Sequence, residues 1–288
     1  MDTRTAHAYA ACRAIAAAHY ENFPVASWLL PAALRDPVAA VYAFARRADD
    51  FADEGRQPAP WRLEQLAAMD AALQRSAEGR PPDDPVFIAL AHAIPTHGLP
   101  PSLFRDLLSA FSQDVVKKRY ASHAEVLDYC RRSANPVGRL LLHLTDQATP
   151  RHLAWSDAIC SALQLINFMQ DIQQDWHEQG RLYLPQDEMA AQGVSEDDIA
   201  AARNTPAVQA LVRGYTQRAR DLLASGAPLG RHLPGRFGLE IRAIVAGGLM
   251  VADKLLAQRA DVFTRPRLTR LDRLRLAARA TFPLRAAA

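Results

Sequence analysis

Two short stretches carry the residues best suited to chemistry. RRADDFADE (Arg46–Glu54) and NFMQDIQQD (Asn167–Asp175) each set two aspartates four positions apart in an apolar-rich, helix-favouring run. Four residues is about 1.1 turns of α-helix, so Asp49 shares a face with Asp53, and Asp171 with Asp175. Like charges at that spacing weaken an isolated helix by about 0.2–0.5 kcal/mol, and burying them uncompensated costs far more. A divalent cation is the usual compensation. Mg2+ is a hard ion that takes one or two carboxylates with waters and phosphate oxygens, so two facing acidic helices suggest a metal-diphosphate site.

Acids at helical spacing normally mark nothing more than a solvated face. The neighbouring residues argue for a lining instead. Counting back from Asp175 in helical steps gives Asp171, Asn167 and Gln164, a polar stripe on a segment whose other faces carry Ile159, Leu163, Ile166 and Met169. Tyr42, Arg46, Asp49 and Asp53 form the matching stripe on the first segment, with Val38, Val41 and Ala45 on its apolar side. Such stripes on mainly apolar helices suit the wall of a cavity. Asp50, rotated about 100° from Asp49, is a weaker member of the first set.

The elements that must position these residues are helices. With 288 residues and 49% hydrophobic content, the chain can bury a large core. Alanine and leucine abundance and the scarcity of alternating runs argue for helix throughout. Pro and Gly fall where helices should break: Pro58 to Pro60, Gly79 to Pro85, Pro95 to Pro101, Pro150, Gly180, Pro185 and Gly226 to Gly238. None of these gaps reads as a flexible interdomain linker. The acidic motifs lie about 120 positions apart, so one site made from both requires a single domain spanning residues 1–288.

Other chemistries find no support. The three cysteines, Cys12, Cys130 and Cys160, form no CxxC pair, and their odd number fits a reducing compartment. A di-iron bundle needs Glu-x-x-His pairs, and none of the nine histidines has glutamate three positions earlier. Neither a GxGxxG nor a Walker A stretch is present. The formal charge of +3 does not indicate nucleic-acid binding. From Arg259 to Ala288, however, eight arginines stand against two aspartates. That tail reads as a basic amphipathic helix, suited to peripheral contact with the inner face of an anionic membrane, or equally as a last helix with a solvated arginine face. No run reaches the roughly 18 apolar residues of a spanning helix, and no signal-peptide pattern opens the chain, so a cytoplasmic protein is expected.

Five ordered motifs give the chain a family resemblance. NFPVASWLLP (Asn22–Pro31), YAFARRADDFAD (Tyr42–Asp53), SQDVVKKRY (Ser112–Tyr120), YCRRSANPVGR (Tyr129–Arg139), and QLINFMQDIQQD followed by GRLYLP (Gln164–Pro185) resemble the squalene/phytoene synthases over nearly the whole length. The resemblance implies an all-α, single-domain isoprenoid synthase bundle with a central hydrophobic cavity. It also implies Mg2+ held by Asp49, Asp53, Asp171 and Asp175, and a prenyl diphosphate as lipid substrate. Arg46 and Arg181 would share the diphosphate charge. Tyr42, Asp50, Tyr120, Tyr129, Gln164 and Asn167 would line the substrate cavity, and Phe23, Ala134, Val137 and Gly138 would shape the lipid tunnel or simply pack helices.

Departures from the family pattern narrow the resemblance. Gln170 stands where an arginine usually precedes the first aspartate of the second motif, Ala134-Asn135-Pro136 replaces an Ala-Gly element, and Asn22 replaces a serine. NFPVAS, SANPVG and NFMQD together are most similar to the hydroxysqualene synthase branch of the bacterial squalene route to hopanoids. A pocket holding one diphosphate rather than two needs fewer fixed cations, which suits the loss of an arginine. That branch implies a carbon-oxygen lyase acting on presqualene diphosphate with Mg2+ and without NADPH, handing its product to neighbouring squalene-pathway enzymes. Condensation of two prenyl diphosphates, giving presqualene diphosphate, squalene or phytoene, is the alternative. A non-catalytic assembly factor of the same fold is the alternative from another class.

Overall fold

The computed structural model describes residues 1–18, 31–258, 261–266, 269 and 272. Contacts divide the chain into two compact units, one of residues 1–116 and 136–153, the other of residues 117–135 and 154 onward. The first unit holds α1 (Thr3–Ala18), α2 (Ala32–Asp53), α3 (Ala59–Ala77), α4 (Pro85–His97), α5 (Pro101–Val116) and, from Pro136 on, α7 (Asn135–Leu144). The second holds α6 (His123–Ser133), α8 (Pro150–Gln170) from Ala154 on, α9 (Ile172–Gln179), and the short α10 (Gln186–Ala191) and α11 (Glu196–Ala200). It continues with α12 (Pro206–Gly226), α13 (Leu229–His232) and α14 (Gly235–Ala257). Among the described residues the only β-type pairing is one isolated parallel bridge between Arg119 and Leu182. The fold is therefore all-α, as the composition and periodicity require.

Local chemistry starts these helices. Asp84 accepts a hydrogen bond from the Val86 amide at 2.9 Å and is followed by Pro85, a residue already set for the first helical turn. Thr205 caps α12 in the same way with Pro206 behind it, and Ser195 and Asp198 form a capping box on α11. The break expected between Pro95 and Pro101 falls in the middle of that stretch. Helix α4 continues through Pro95 and ends at Gly98, whose φ of +58° supplies the left-handed stop. A proline so close to the helix end removes only one ladder bond there.

In the first unit α2 packs against α1, α3, α4 and α5. Its buried face carries Val38, Val41, Phe44, Ala48 and Ala52, and the fully buried Phe44 ring meets Phe87 and Phe104 edge to face. Arg47 pairs with Asp84 at 2.7 Å, tying α2 to the carboxylate that caps α4. In the second unit α12 and α13 pack on α14, and α11 on α9. A side chain at Gly226 would stand 2.6 Å from the Trp155 carbonyl and 2.7 Å from the Ile159 Cγ1, so glycine allows the end of α12 to approach α8 this closely.

Candidate functional site

The first aspartate motif occupies the last turns of α2. Tyr42, Arg46, Asp49, Asp50 and Asp53 are all half-buried on the side of the helix away from its Phe44 core face. Arg46 sits at the centre of this group. Its Nη1 lies 3.4 Å from Asp49 Oδ2 and its Nη2 2.5 Å from Asp50 Oδ1, and it also pairs with Glu54. Burial acts to lower the pKa of Arg46, but Asp50, Asp49 and Glu54 together raise it above the ordinary value. The guanidinium thus serves as counter-charge to a carboxylate cluster that would otherwise repel itself.

The second motif departs from the expected uninterrupted helix. Helix α8 ends at Gln170, Asp171 adopts φ −110° and ψ 15°, and α9 begins at Ile172. The Asp171 amide still donates to the Asn167 carbonyl at 2.9 Å, and the Asp175 amide to the Asp171 carbonyl at 2.8 Å. The chain bends without losing its hydrogen-bond spacing. Gln164, Asn167, Asp171 and Asp175 are each half-buried, while Ile159, Ile166 and Met169 are buried and Leu163 is intermediate. Burial pushes the Asp171 pKa above the ordinary carboxylate value, Arg265 opposing and Glu178 adding to it. Arg265 grips Asp171 with two nitrogens, Nε at 2.7 Å from Oδ1 and Nη2 at 3.2 Å from Oδ2.

The segment after α9 is fixed in turn. Gly180 has φ +62° and ends the helix, its amide donating to the Trp176 carbonyl at 2.9 Å. The chain then runs beside residues 118–121: the amides of Leu182, Gln186 and Asp187 donate to the carbonyls of Lys118, Tyr120 and Ala121 at 3.0, 2.9 and 3.1 Å. Arg181 is buried, only 5% exposed. Tyr120 and Tyr129, expected along the substrate cavity, are 0% and 4% exposed. They pack into an aromatic cluster with Tyr183 and Phe168, whose rings stack 3.6 Å apart. Asn135, the departure in the central motif, is buried and accepts a 2.8 Å hydrogen bond from the Ser161 hydroxyl on α8.

Of the other expected residues, Ala134 ends α6, Gly138 is buried on α7, and Val137 beside it is 40% exposed, unusual for a large apolar side chain. Phe23 and most of the basic tail lie outside the described residues. Two arginines missed by sequence reasoning, Arg62 and Arg119, hold the ends of the acid-bearing helices through backbone carbonyls. Nothing in their spacing announces this, because an arginine at a helix start, or one closing the basic run Lys117 to Arg119, reads as surface charge.

The donor chemistry fits Mg2+. Among the described residues no three His, Cys, Asp or Glu side chains gather into a ready-made cage. The acids are present as pairs of hard oxygen donors, and Mg2+ characteristically takes one or two carboxylates and fills its remaining positions with water and phosphate oxygens. Asp171 is partly desolvated and already draws a cationic partner, as a carboxylate prepared for a cation should. Among the described residues no helix is long and apolar enough to cross a membrane.

Comparison with known proteins agrees with the motifs. The sequence is 39% identical over 227 residues, 78% of this chain and 76% of the other, to a hydroxysqualene synthase of Rhodopseudomonas palustris. It is 35% identical over 238 residues, 82% of this chain and 78% of the other, to a hydroxysqualene synthase of Sinorhizobium fredii. A crystal structure of the squalene synthase HpnC from Alicyclobacillus acidocaldarius matches with a TM-score of 0.83 at 34% identity, covering 88% of this chain and 95% of that one. Residues 16–275 match the profile of the squalene/phytoene synthases, so the chain belongs to that family of enzymes processing prenyl diphosphates.

Proposed function

We propose that this chain is a Mg2+-dependent hydroxysqualene synthase, a carbon-oxygen lyase that converts presqualene diphosphate and water to hydroxysqualene and inorganic diphosphate in a route to squalene and hopanoids. The observation that carries this reading is the 39% identity, over most of both chains, to a protein named for that activity. The motif departures at Gln170 and Asn135 point the same way. Residues 1–288 act as one catalytic domain in this reading, with Asp49, Asp53, Asp171 and Asp175 as the metal and diphosphate ligands.

Mg2+, when bound, neutralises the diphosphate and makes it a competent leaving group. The chain's own residues bind, orient and exclude. Arg46, held among Asp49, Asp50 and Glu54, fixes the carboxylates of the first motif and lends positive charge beside them. Arg181, buried at the turn after α9, adds a second guanidinium for the phosphate oxygens. Tyr42, Gln164 and Asn167 extend the polar stripes along which the head group is placed. Departure of diphosphate leaves a cyclopropylcarbinyl cation, whose three-membered ring opens on rearrangement. One water molecule adds its oxygen to the rearranged cation and loses a proton to the medium. No electron is taken up, so no reductant such as NADPH is needed.

The test is substrate choice. The purified protein is incubated with Mg2+ and either presqualene diphosphate or farnesyl diphosphate, without NADPH, and products are read by mass. The proposal expects a C30 alcohol from presqualene diphosphate and no consumption of farnesyl diphosphate alone. Consumption of farnesyl diphosphate with presqualene diphosphate left intact would reassign the chain to the condensing branch. No turnover of either would favour a non-catalytic role.

A further inference from the structure

The C-terminal end of α2, where Asp53 is the last helical residue, is closed by one side chain from the next helix. Arg62, half-buried in the first turn of α3, spends all four of its recorded side-chain hydrogen bonds on backbone carbonyls. Nη1 donates to Phe51 O at 3.2 Å and to Ala52 O at 2.6 Å, Nη2 to Gly55 O at 2.7 Å, and Nε to Gln57 O at 2.9 Å. The last turn of any helix leaves carbonyls without an intrahelical partner and with partial negative charge. At this end the Glu54 amide satisfies the Asp50 carbonyl, and Arg62 takes the next two. The chain then turns through Gly55 at φ +77°, and the Phe51 and Trp61 rings meet edge to face 5.8 Å apart beside the knot.

We infer that Arg62 is a positioning residue for the first aspartate motif: by pinning the carbonyls on either side of Asp53 in sequence, it fixes that carboxylate for cation binding. The inference rests on the proposed role of Asp53 as a ligand. A planar guanidinium offers five N–H groups in a rigid fork, and four carbonyls arranged around it hold the turn in one conformation. Lysine keeps the charge but presents three N–H groups on a single flexible point, so it can reproduce only part of the arrangement. None of the recorded Arg62 bonds reaches a carboxylate, so its effect on Asp53 passes through the backbone.

The experiment compares Arg62→Ala, Arg62→Lys and Asp53→Asn in the full chain. Turnover of presqualene diphosphate is titrated with Mg2+, Mg2+ binding without substrate is measured by calorimetry, and amide exchange is followed at Ala52 to Gly55. Loss of an outer partner of a metal ligand typically weakens metal affinity by about 10- to 100-fold. Arg62→Ala is therefore expected to raise the Mg2+ requirement by about 10-fold or more, with kcat largely recovered at saturating Mg2+ and faster exchange at the turn. Arg62→Lys falls between. Asp53→Asn loses turnover at every Mg2+ concentration. An Arg62→Ala protein with the wild-type Mg2+ requirement overturns the inference, as does a lost kcat that Mg2+ does not restore. Normal Mg2+ dependence in Asp53→Asn overturns the ligand reading itself, a separate result. If Arg62→Ala does not fold, Arg62→Lys is judged by the same two readouts.

Discussion

Replacing Arg119 by methionine tests how the segment after α9 is held. Arg119 pairs with Glu196 through two contacts, Nε–Oε1 at 2.7 Å and Nη2–Oε2 at 2.8 Å. Its Nη1 also donates to the carbonyls of Lys118, at 2.8 Å, and Gly180, and the guanidinium lies 4.8 Å from the Trp176 ring centre. The ion pair is partly open to water, its side chains 27% and 40% exposed, so even in bidentate geometry it contributes only about 0.5–1 kcal/mol. The two carbonyl bonds add about 1 kcal/mol each and the Trp176 contact about 0.5 kcal/mol. Methionine keeps the apolar stem and removes all of these, so Arg119→Met should destabilise the protein by about 3–3.5 kcal/mol. Glu196→Gln removes the charge of the pair and one of its two acceptor oxygens but leaves the carbonyl bonds, and should cost only about 1 kcal/mol. Urea unfolding followed by circular dichroism measures both, and the double variant gives the coupling. A Glu196→Gln loss equal to that of Arg119→Met would show that the ion pair, and not the carbonyls, carries the anchorage, and would refute this reasoning.

Two other predictions concern packing and pH. A side chain at Gly238 would stand 2.4 Å from the Leu233 carbonyl and 2.9 Å from the Gly230 carbonyl, backbone atoms that cannot move independently, so Gly238→Ala should cost about 1–3 kcal/mol. Gly248→Ala meets only the flexible ends of Leu163 and Leu223 and should cost less when both variants are unfolded in urea; equal losses would contradict the distinction. His123, 3.0 Å from the Tyr215 hydroxyl, has its pKa lowered first by burial and then by Arg218, against Glu188 and Asp187. The unfolded chain therefore binds the proton more readily. Its stabilising contribution is complete above about pH 6.5 and is lost as pH falls through the lower folded-state value. Stability measured from about pH 7 to pH 5 should fall less steeply in His123→Gln than in the parent, and an unchanged slope would refute the assignment.

The sequence made α2 legible because the same 22-residue helix carries both signals, an apolar face at Val38, Val41 and Phe44 and a polar stripe ending at Asp53. The bend at Asp171 was hidden. No glycine or proline marks it, and the amide-to-carbonyl spacing of a helix continues through it, so the apolar periodicity is unbroken. Tyr120 and Tyr129 were readable only as cavity-lining residues implied by the family resemblance; their packing with Tyr183 depends on residues 182–187 running beside 118–121. That pairing joins segments some 60 positions apart, beyond any local pattern. The contacts by which Arg62 and Arg119 hold the helix ends were invisible for a related reason: they go to carbonyls, which every residue has, so no side-chain type betrays them. The bond between Asn135 and Ser161, by contrast, gives physical sense to a motif departure already evident in the residues.

The origin of the oxygen in the product tests the central claim most directly. Presqualene diphosphate is turned over with Mg2+ in water enriched in 18O, and both products are analysed by mass. Carbon-oxygen cleavage followed by capture of water places one solvent oxygen in the C30 alcohol and none in the released diphosphate, which departs with the oxygen that joined it to carbon. Solvent oxygen in the diphosphate together with an unlabelled alcohol would mean cleavage at phosphorus. That result, or a product with no oxygen at all, would contradict the hydroxysqualene synthase assignment.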